Sequence, residues 1–272
     1  MNVLITGASG FIGGLLLNAL NKNLHIIGTV FNGNISSNGC KHKHIDLSDE
    51  HEVRMFFNNN RFDIIFHFAG YLTSRLNDEN PTKASLYNVK ITKNIVNNAS
   101  KSCHIVFLST DKVFDGSIGY PDEDTPVSPC CLYGELKYNA EEIIRKKLYK
   151  HHIFRLPIVH SSGNLNSISF IDKSIFSIKK SRITPVFGNV KRCFLRADEL
   201  VNLLIASMDN KCYGIYNVGT KSISYHDRLV QLLKEEKVEY AGLIDKSTGS
   251  VNPIEQNLNT SKVTKVFGLE FS

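Results

Sequence analysis

The 272 residues suffice for one large α/β core, alone or with a small lobe, and an apolar content of 42% fits a soluble globular protein. A formal charge of +6 on dispersed Lys and Arg, with no basic stripe, argues against nucleic-acid binding and is compatible with anionic ligands. No apolar run approaches the roughly 18 residues of a membrane span. Cys40, Cys103, Cys130, Cys131, Cys193 and Cys212 show no C-x-x-C or zinc spacing, so they read as reduced packing thiols; no metal is expected, and the chain is expected in the cytoplasm.

Asn2-Val3-Leu4-Ile5-Thr6 reads as a buried parallel strand, and Phe11 to Leu20 as a helix. Between them runs Gly7-Ala8-Ser9-Gly10-Phe11-Ile12-Gly13. Strand, glycine turn and helix in that order are the context of a dinucleotide fingerprint. Gly7 would allow the tight turn, Gly10 would let backbone amides approach a pyrophosphate, and Gly13 would let helix pack on strand. Further strand-like runs follow at His25–Val30, Phe62–Phe68, His104–Leu108 and Ile153–Leu156, separated by helical patterns. This rhythm predicts a doubly wound parallel sheet of the Rossmann type with helices on both faces. Ligands gather at the carboxyl ends of such strands, where Ala69-Gly70 and Ser109-Thr110-Asp111 fall. Near residue 157 the pattern loosens. A dinucleotide-binding domain is expected over 1–157 and a mainly substrate-binding lobe over 158–272, with some segments returning to the core.

Tyr133 and Lys137 follow, four residues apart on a predicted helix and therefore on one face. An ammonium beside a phenol favours the ionised phenol, so a group with a free pKa of about 10 could exchange a proton near neutrality. Downstream of a dinucleotide fingerprint, the pair points to nicotinamide redox chemistry.

The chain resembles the extended short-chain dehydrogenase/reductases, and within them the dTDP-4-dehydrorhamnose reductase family. The resemblance rests on Gly7, Gly10 and Gly13; Asp46-Leu47-Ser48; His67-Phe68-Ala69-Gly70; Asn88; the block Ser109-Thr110-Asp111-Lys112-Val113-Phe114-Asp115-Gly116; Tyr133 with Lys137; and Asn259-Thr260-Ser261-Lys262 before Phe267-Gly268-Leu269. It implies an NAD(P)H-dependent reductase of a nucleotide-linked keto-deoxysugar, acting in the assembly of a surface polysaccharide or glycan. Thr110 would bind the substrate oxygen, Tyr133 would donate the proton, and Lys137 would hold the nicotinamide ribose. Gly7, Ser9, Gly10, Phe11, Ile12, Gly13, Asn32, Asp46, Leu47, Phe68, Ala69, Gly70, Asn88 and Pro157 would complete the cofactor site. Asp111, Lys112 and Val113 would meet the sugar, and Arg192 the substrate diphosphate, which a planar guanidinium can grip at two oxygens. The alternatives are a sugar-nucleotide epimerase or dehydratase, or a non-catalytic NADP-binding regulatory subunit like that of methionine adenosyltransferase. A homodimer is a possible assembly; no nucleic-acid or membrane partner is expected.

The chain also departs from the pattern. Lys112 stands where the rhamnose reductases usually carry Tyr, and His160-Ser161-Ser162-Gly163 replaces an expected Tyr-Gly turn. Phe31-Asn32 stands where an acid would bind the ribose diol of NAD, so NADP(H) is expected, with NAD(H) the alternative. His67 reads as a core histidine, His151-His152 as a helix end or loop, and Asp46 as either an adenine contact or a helix cap.

Overall fold

Val3, Leu4 and Ile5 of strand β1 (Asn2–Thr6) are completely buried, because β1 lies inside a sheet covered on both faces. The structure is a computed structural model describing residues 1–20, 23–31, 40–71, 78–161, 169–248 and 255–272. In chain order, β1 is followed by α1 (Phe11–Ala19), β2 (His25–Val30), β3 (Lys41–His44), α2 (Glu50–Asn59) and β4 (Ile64–His67). Then come α3 (Pro81–Ser85), a π-helical turn at Leu86–Lys90, α4 (Ile91–Asn98), β5 (His104–Thr110), α5 (Leu132–Lys147) and β6 (His151–Leu156). These strands and a later one, Gly214–Asn217, form a seven-stranded sheet. Gly214–Asn217 forms one edge, and from it the order runs β6, β5, β4, β1, β2 to β3 at the other edge. Parallel pairing joins β3 to β2, β2 to β1, β1 to β4 and β4 to β5. The order reverses between β1 and β4, so the crevice for a ligand opens beyond the carboxyl ends of those two strands.

Packing explains the helices around this sheet. Asp49 caps α2 by accepting from the Glu52 amide, and Val53, Phe56 and Phe57 form its buried stripe. Phe56, Phe57 and Phe62 meet with ring centroids 5.6 to 5.7 Å apart, a spacing at which aromatic pairs gain beyond simple burial. They join one core cluster with Ile91 and Ile95 of α4 and with Ala140 and Ile144 of α5. Strand β3, Lys-His-Lys-His, is exposed along its length. It sits at the sheet edge, where charged side chains discourage pairing with another chain.

By its contacts the chain divides into two compact units. The first comprises Met1–Phe114, Pro126–Arg155 and Val201–Tyr216. The second comprises Asp115–Thr125, Leu156–Leu200 and Asn217–Ser272. Its core joins Ile171, Ile175 and Ile178 of a helix at Phe170–Lys179 to Leu229, Leu232 and Leu233 of a helix at Tyr225–Glu235. Short strands surround them, including Lys191–Arg192, which pairs with Ile223–Ser224 and Glu255–Gln256. Among the described residues, no helix is long and apolar enough to cross a membrane.

Candidate active site

The glycine turn closes on itself and on β4. Gly7 has φ +69°, and a Cβ there would lie 2.9 Å from the Ala69 amide nitrogen. At Gly13 a Cβ would lie 2.5 Å from the Gly7 carbonyl oxygen and 2.9 Å from the Ala8 Cα, so the helix can approach the strand only without a side chain. Gly10 differs: its φ is −74°, and the nearest protein atom to a Cβ would be the Gly7 oxygen, at 3.1 Å. A side chain at Gly10 is therefore far less obstructed by the protein than one at Gly7 or Gly13, meeting only that one oxygen, which would have to give slightly. This residue begins α1, whose first turn has no acidic residue and no side-chain cap, leaving the orphan amides and the positive end of the helix dipole toward an anion.

A chain of hydrogen bonds positions the opposite wall. The amides of Phe68 and Ala69 both donate to the Thr6 hydroxyl at 3.1 Å, and that hydroxyl lies 2.8 Å from His67 Nδ1. His67 Nε2 lies 3.0 Å from the Thr92 hydroxyl, which donates to the Asn88 carbonyl at 2.8 Å. Because Thr92 spends its proton on Asn88, it must accept from Nε2–H; Nδ1 is then the acceptor for Thr6. The Asn88 side chain receives the Tyr71 amide at 3.1 Å and donates to the Tyr71 carbonyl at 3.3 Å, pinning the loop after β4. His67 is thus a core histidine that orients backbone. Asp46 accepts from the amide and hydroxyl of Ser48 at 2.8 and 2.7 Å, forming a turn, and Asp49 is the residue that caps the helix.

Strand β5 delivers Thr110 and Asp111, both buried, to its carboxyl end. The Thr110 hydroxyl accepts from the Lys112 amide and donates to Asp111, each at 3.3 Å. A Cβ on Gly134 would lie 2.1 Å from the Lys112 carbonyl oxygen, so only glycine lets α5 settle against the Asp111–Val113 turn. That contact places Tyr133, in the first turn of α5, beside the end of β5. The expected depression of its phenol is not found: burial first, and then the charges of Asp111 and Cys131, push it up.

Lys137 is 8% exposed, with Nζ 4.1 Å from the centre of the Phe107 ring. Burial lowers its ammonium to about 7, and the carboxylate of Glu141, one turn on, works in the other direction. Glu141 is itself fully buried. It accepts from Ser109 Oγ, from Arg155 Nε at 3.2 Å and from Arg155 Nη2 at 2.9 Å. Ser109 is therefore committed beneath the site, leaving Thr110 as the hydroxyl at its surface.

The other expected site residues are distributed as follows. Ser9, Phe11 and Ile12 lie on the glycine turn and Leu47 after β3, all in the first unit; Pro157 and Arg192 belong to the second unit. Arg192 is 7% exposed, unlike a solvated surface arginine. Asn32 lies outside the described residues. His151 and His152 begin strand β6 instead of ending a helix, and His152 Nδ1 sits 2.8 Å from His104 Nε2. Among the described residues no group of three or more His, Cys, Asp or Glu could hold a metal ion.

The family model described as "RmlD substrate binding domain" matches residues 1–264. The dTDP-D-glucose 4,6-dehydratase of Homo sapiens is 26% identical over 264 residues, covering 87% of this chain and 75% of that protein. Methionine adenosyltransferase 2 subunit beta of Xenopus laevis is 26% identical over 188 residues, covering 66% of this chain and 54% of its own length. The solved structure of a hypothetical dTDP-4-dehydrorhamnose reductase from Sulfolobus tokodaii superposes with a TM-score of 0.86 at 22% identity, covering 100% of this chain and 96% of that one.

Proposed function

The chain belongs to the RmlD substrate-binding-domain family, and from that premise we propose that it is an NAD(P)H-dependent reductase of a nucleotide-linked keto-deoxysugar. What supports this reading is that Thr110 ends β5, the Asp111 charge beside it acts on the Tyr133 phenol, and Lys137 lies over Phe107 of the same strand, all in the unit that holds the glycine turn. The space at Gly10 and the uncapped start of α1 fit a pyrophosphate, so Gly7, Ser9, Gly10, Phe11, Ile12 and Gly13 would hold a dinucleotide. Phe68, Ala69 and Gly70 would form its other wall. When bound, that cofactor supplies the hydride; NADP(H) is the form we assign, with NAD(H) the alternative.

The residues then divide the work. Thr110, its hydroxyl proton turned from Asp111 to the substrate, would hold the sugar carbonyl oxygen by a hydrogen bond that strengthens as negative charge develops there. Tyr133 gives that oxygen its proton. An alkoxide is a far stronger base than a phenolate, so a phenol raised by burial remains protonated until the oxygen needs it. Lys137 would hold the nicotinamide ribose, its charge present below about pH 7 and fading above it. Arg192, buried in the second unit, is assigned to the substrate diphosphate, and Lys112 to a polar or anionic group on the sugar. Lys112 follows Asp111 where the sugar-nucleotide dehydratases use a Glu for elimination, which supports reduction over dehydration.

The likeness to methionine adenosyltransferase 2 subunit beta supports a second reading, a non-catalytic partner that binds NADP. NADPH oxidation across a panel of keto-sugar nucleotides, beside a pull-down with a methionine adenosyltransferase catalytic subunit, separates the two. The reductase reading expects substrate-dependent NADPH consumption. Specific capture with no consumption would move the assignment to the second reading.

A further inference from the structure

Two cysteines stand where the loop before α5 becomes the helix. Cys130 is exposed, and its thiol donates to the sulfur of Cys131 at 4.0 Å; neither is in a disulfide. Both belong to a tight junction. The Cys130 amide and thiol reach the Lys112 carbonyl at 3.2 and 3.7 Å, the oxygen against which Gly134 packs. Cys131 is the N-cap of α5, and its carbonyl accepts the first helical bond, from the Glu135 amide at 3.1 Å. Tyr133 lies two residues further on.

The geometry points to Cys130 and Cys131 as a thiol–disulfide switch: a hydroperoxide oxidises the pair, and the new bond deforms the start of the helix that carries Tyr133. Cys131 is placed to attack first, because its sulfur accepts a thiol proton and stands at a helix N-terminus, where negative charge is favoured. That same donation, with partial burial of an otherwise exposed residue, pushes the Cys130 thiol up and keeps its proton in place until the second step. In the first step the Cys131 sulfur attacks one peroxide oxygen, the O–O bond breaks, and the departing hydroxide leaves as water, giving a sulfenic acid. In the second, the Cys130 sulfur displaces that hydroxyl, losing its proton as a second water departs. The two thiols give up two electrons and two protons, and the peroxide is reduced to two waters.

Closing the bond brings the sulfurs from 4.0 Å to about 2.0 Å. The ring so formed includes the 130–131 peptide, so the backbone that caps α5 and contacts Lys112 must shift. The charge that Cys131 directs at Tyr133 disappears with it.

The test treats the full-length protein with a small excess of hydrogen peroxide. Peptide mapping should find Cys130 and Cys131 joined, two hydrogen atoms lighter and closed to alkylation, with dithiothreitol restoring both. Amide hydrogen exchange over residues 132–136 should rise with oxidation. Turnover of a keto-sugar nucleotide should fall by up to about a hundredfold, the effect of a misplacement near 1 Å, and this arm alone rests on the reductase reading. Cys130→Ser should keep its basal turnover and lose all three responses, and Cys131→Ser, which keeps the helix capped, should lose the disulfide and the change in exchange as well. Both thiols remaining alkylatable, a sulfinic acid in place of the disulfide, or a disulfide that leaves exchange over 132–136 unchanged would each overturn the switch. Because mapping and exchange need no substrate, they decide for or against the switch even in a protein that reduces no keto sugar.

Discussion

Thr6 and His67 face one another in register across β1 and β4, and the Thr6 hydroxyl gives its proton to His67 Nδ1 at 2.8 Å. This requires a neutral imidazole, since a protonated ring has no acceptor. Burial, with the Lys137 charge second, holds His67 down at about 3. Burial likewise holds His104 and His160 at about 3 and His152 at about 4.

All four values lie below the free imidazole's roughly 6.5. The unfolded chain therefore takes up protons first as pH falls. The stability from these neutral rings is complete above about pH 6.5 and is lost as pH drops toward their folded values. Each independent histidine contributes up to about 1.4 kcal/mol per pH unit in that window, with His104 and His152 acting as a hydrogen-bonded pair. Urea midpoints measured at about pH 7 and about pH 5 should differ clearly, and His67→Gln should flatten the dependence. A midpoint independent of pH would contradict the assigned tautomers.

Gly10 and Gly13 should separate binding from folding. Alanine at Gly13 drives a Cβ against backbone at 2.5 and 2.9 Å and should cost about 1–3 kcal/mol or more. At Gly10 the same change meets only the Gly7 oxygen, at 3.1 Å, a contact that must give by a few tenths of an ångström, so it should cost clearly less than at Gly13, yet the methyl takes space assigned to the pyrophosphate. NADPH affinity of Gly10→Ala should fall at least about tenfold, roughly 1.4 kcal/mol. Wild-type affinity there would mean that no pyrophosphate sits on the glycine turn.

Beneath Lys137, Glu141 and Arg155 form an ion pair with side chains 0% and 2% exposed. Glu141→Leu leaves the Arg155 charge buried without its carboxylate and should cost about 3–5 kcal/mol in urea unfolding. Adding Arg155→Met should recover most of that loss. If the single and double variants were equally destabilised, the lost term would be packing and not charge.

The sequence makes one half of this arrangement legible. Val3 to Ile5 and Ile105 to Leu108 are continuous apolar runs, and Ile26 to Val30 is broken only by Gly28 and Thr29; buried parallel strands leave that trace. Strand β3 leaves none, since Lys41-His42-Lys43-His44 is an exposed edge whose pairing comes from β2. Tyr133, Lys137 and Thr110 are visible by spacing and resemblance, but the charge beneath them is not. Glu141 and Arg155 are fourteen residues apart and meet only when α5 lies against β6. Gly134 gives no local signal either; its need for glycine comes from the Lys112 carbonyl, twenty-two positions upstream. The raised Tyr133 phenol likewise depends on burial and on Asp111, neither of which helical spacing can supply.

The most direct test of the reductase assignment compares Tyr133→Phe with the wild type in single-turnover and steady-state reduction of a keto-deoxysugar nucleotide, with NADPH affinity measured in parallel. The substitution removes the phenolic hydroxyl and keeps the ring. Reduction should slow by about 10²–10⁴-fold while NADPH affinity stays near the wild-type value. A variant that reduces the substrate at the wild-type rate would contradict Tyr133 as the proton donor.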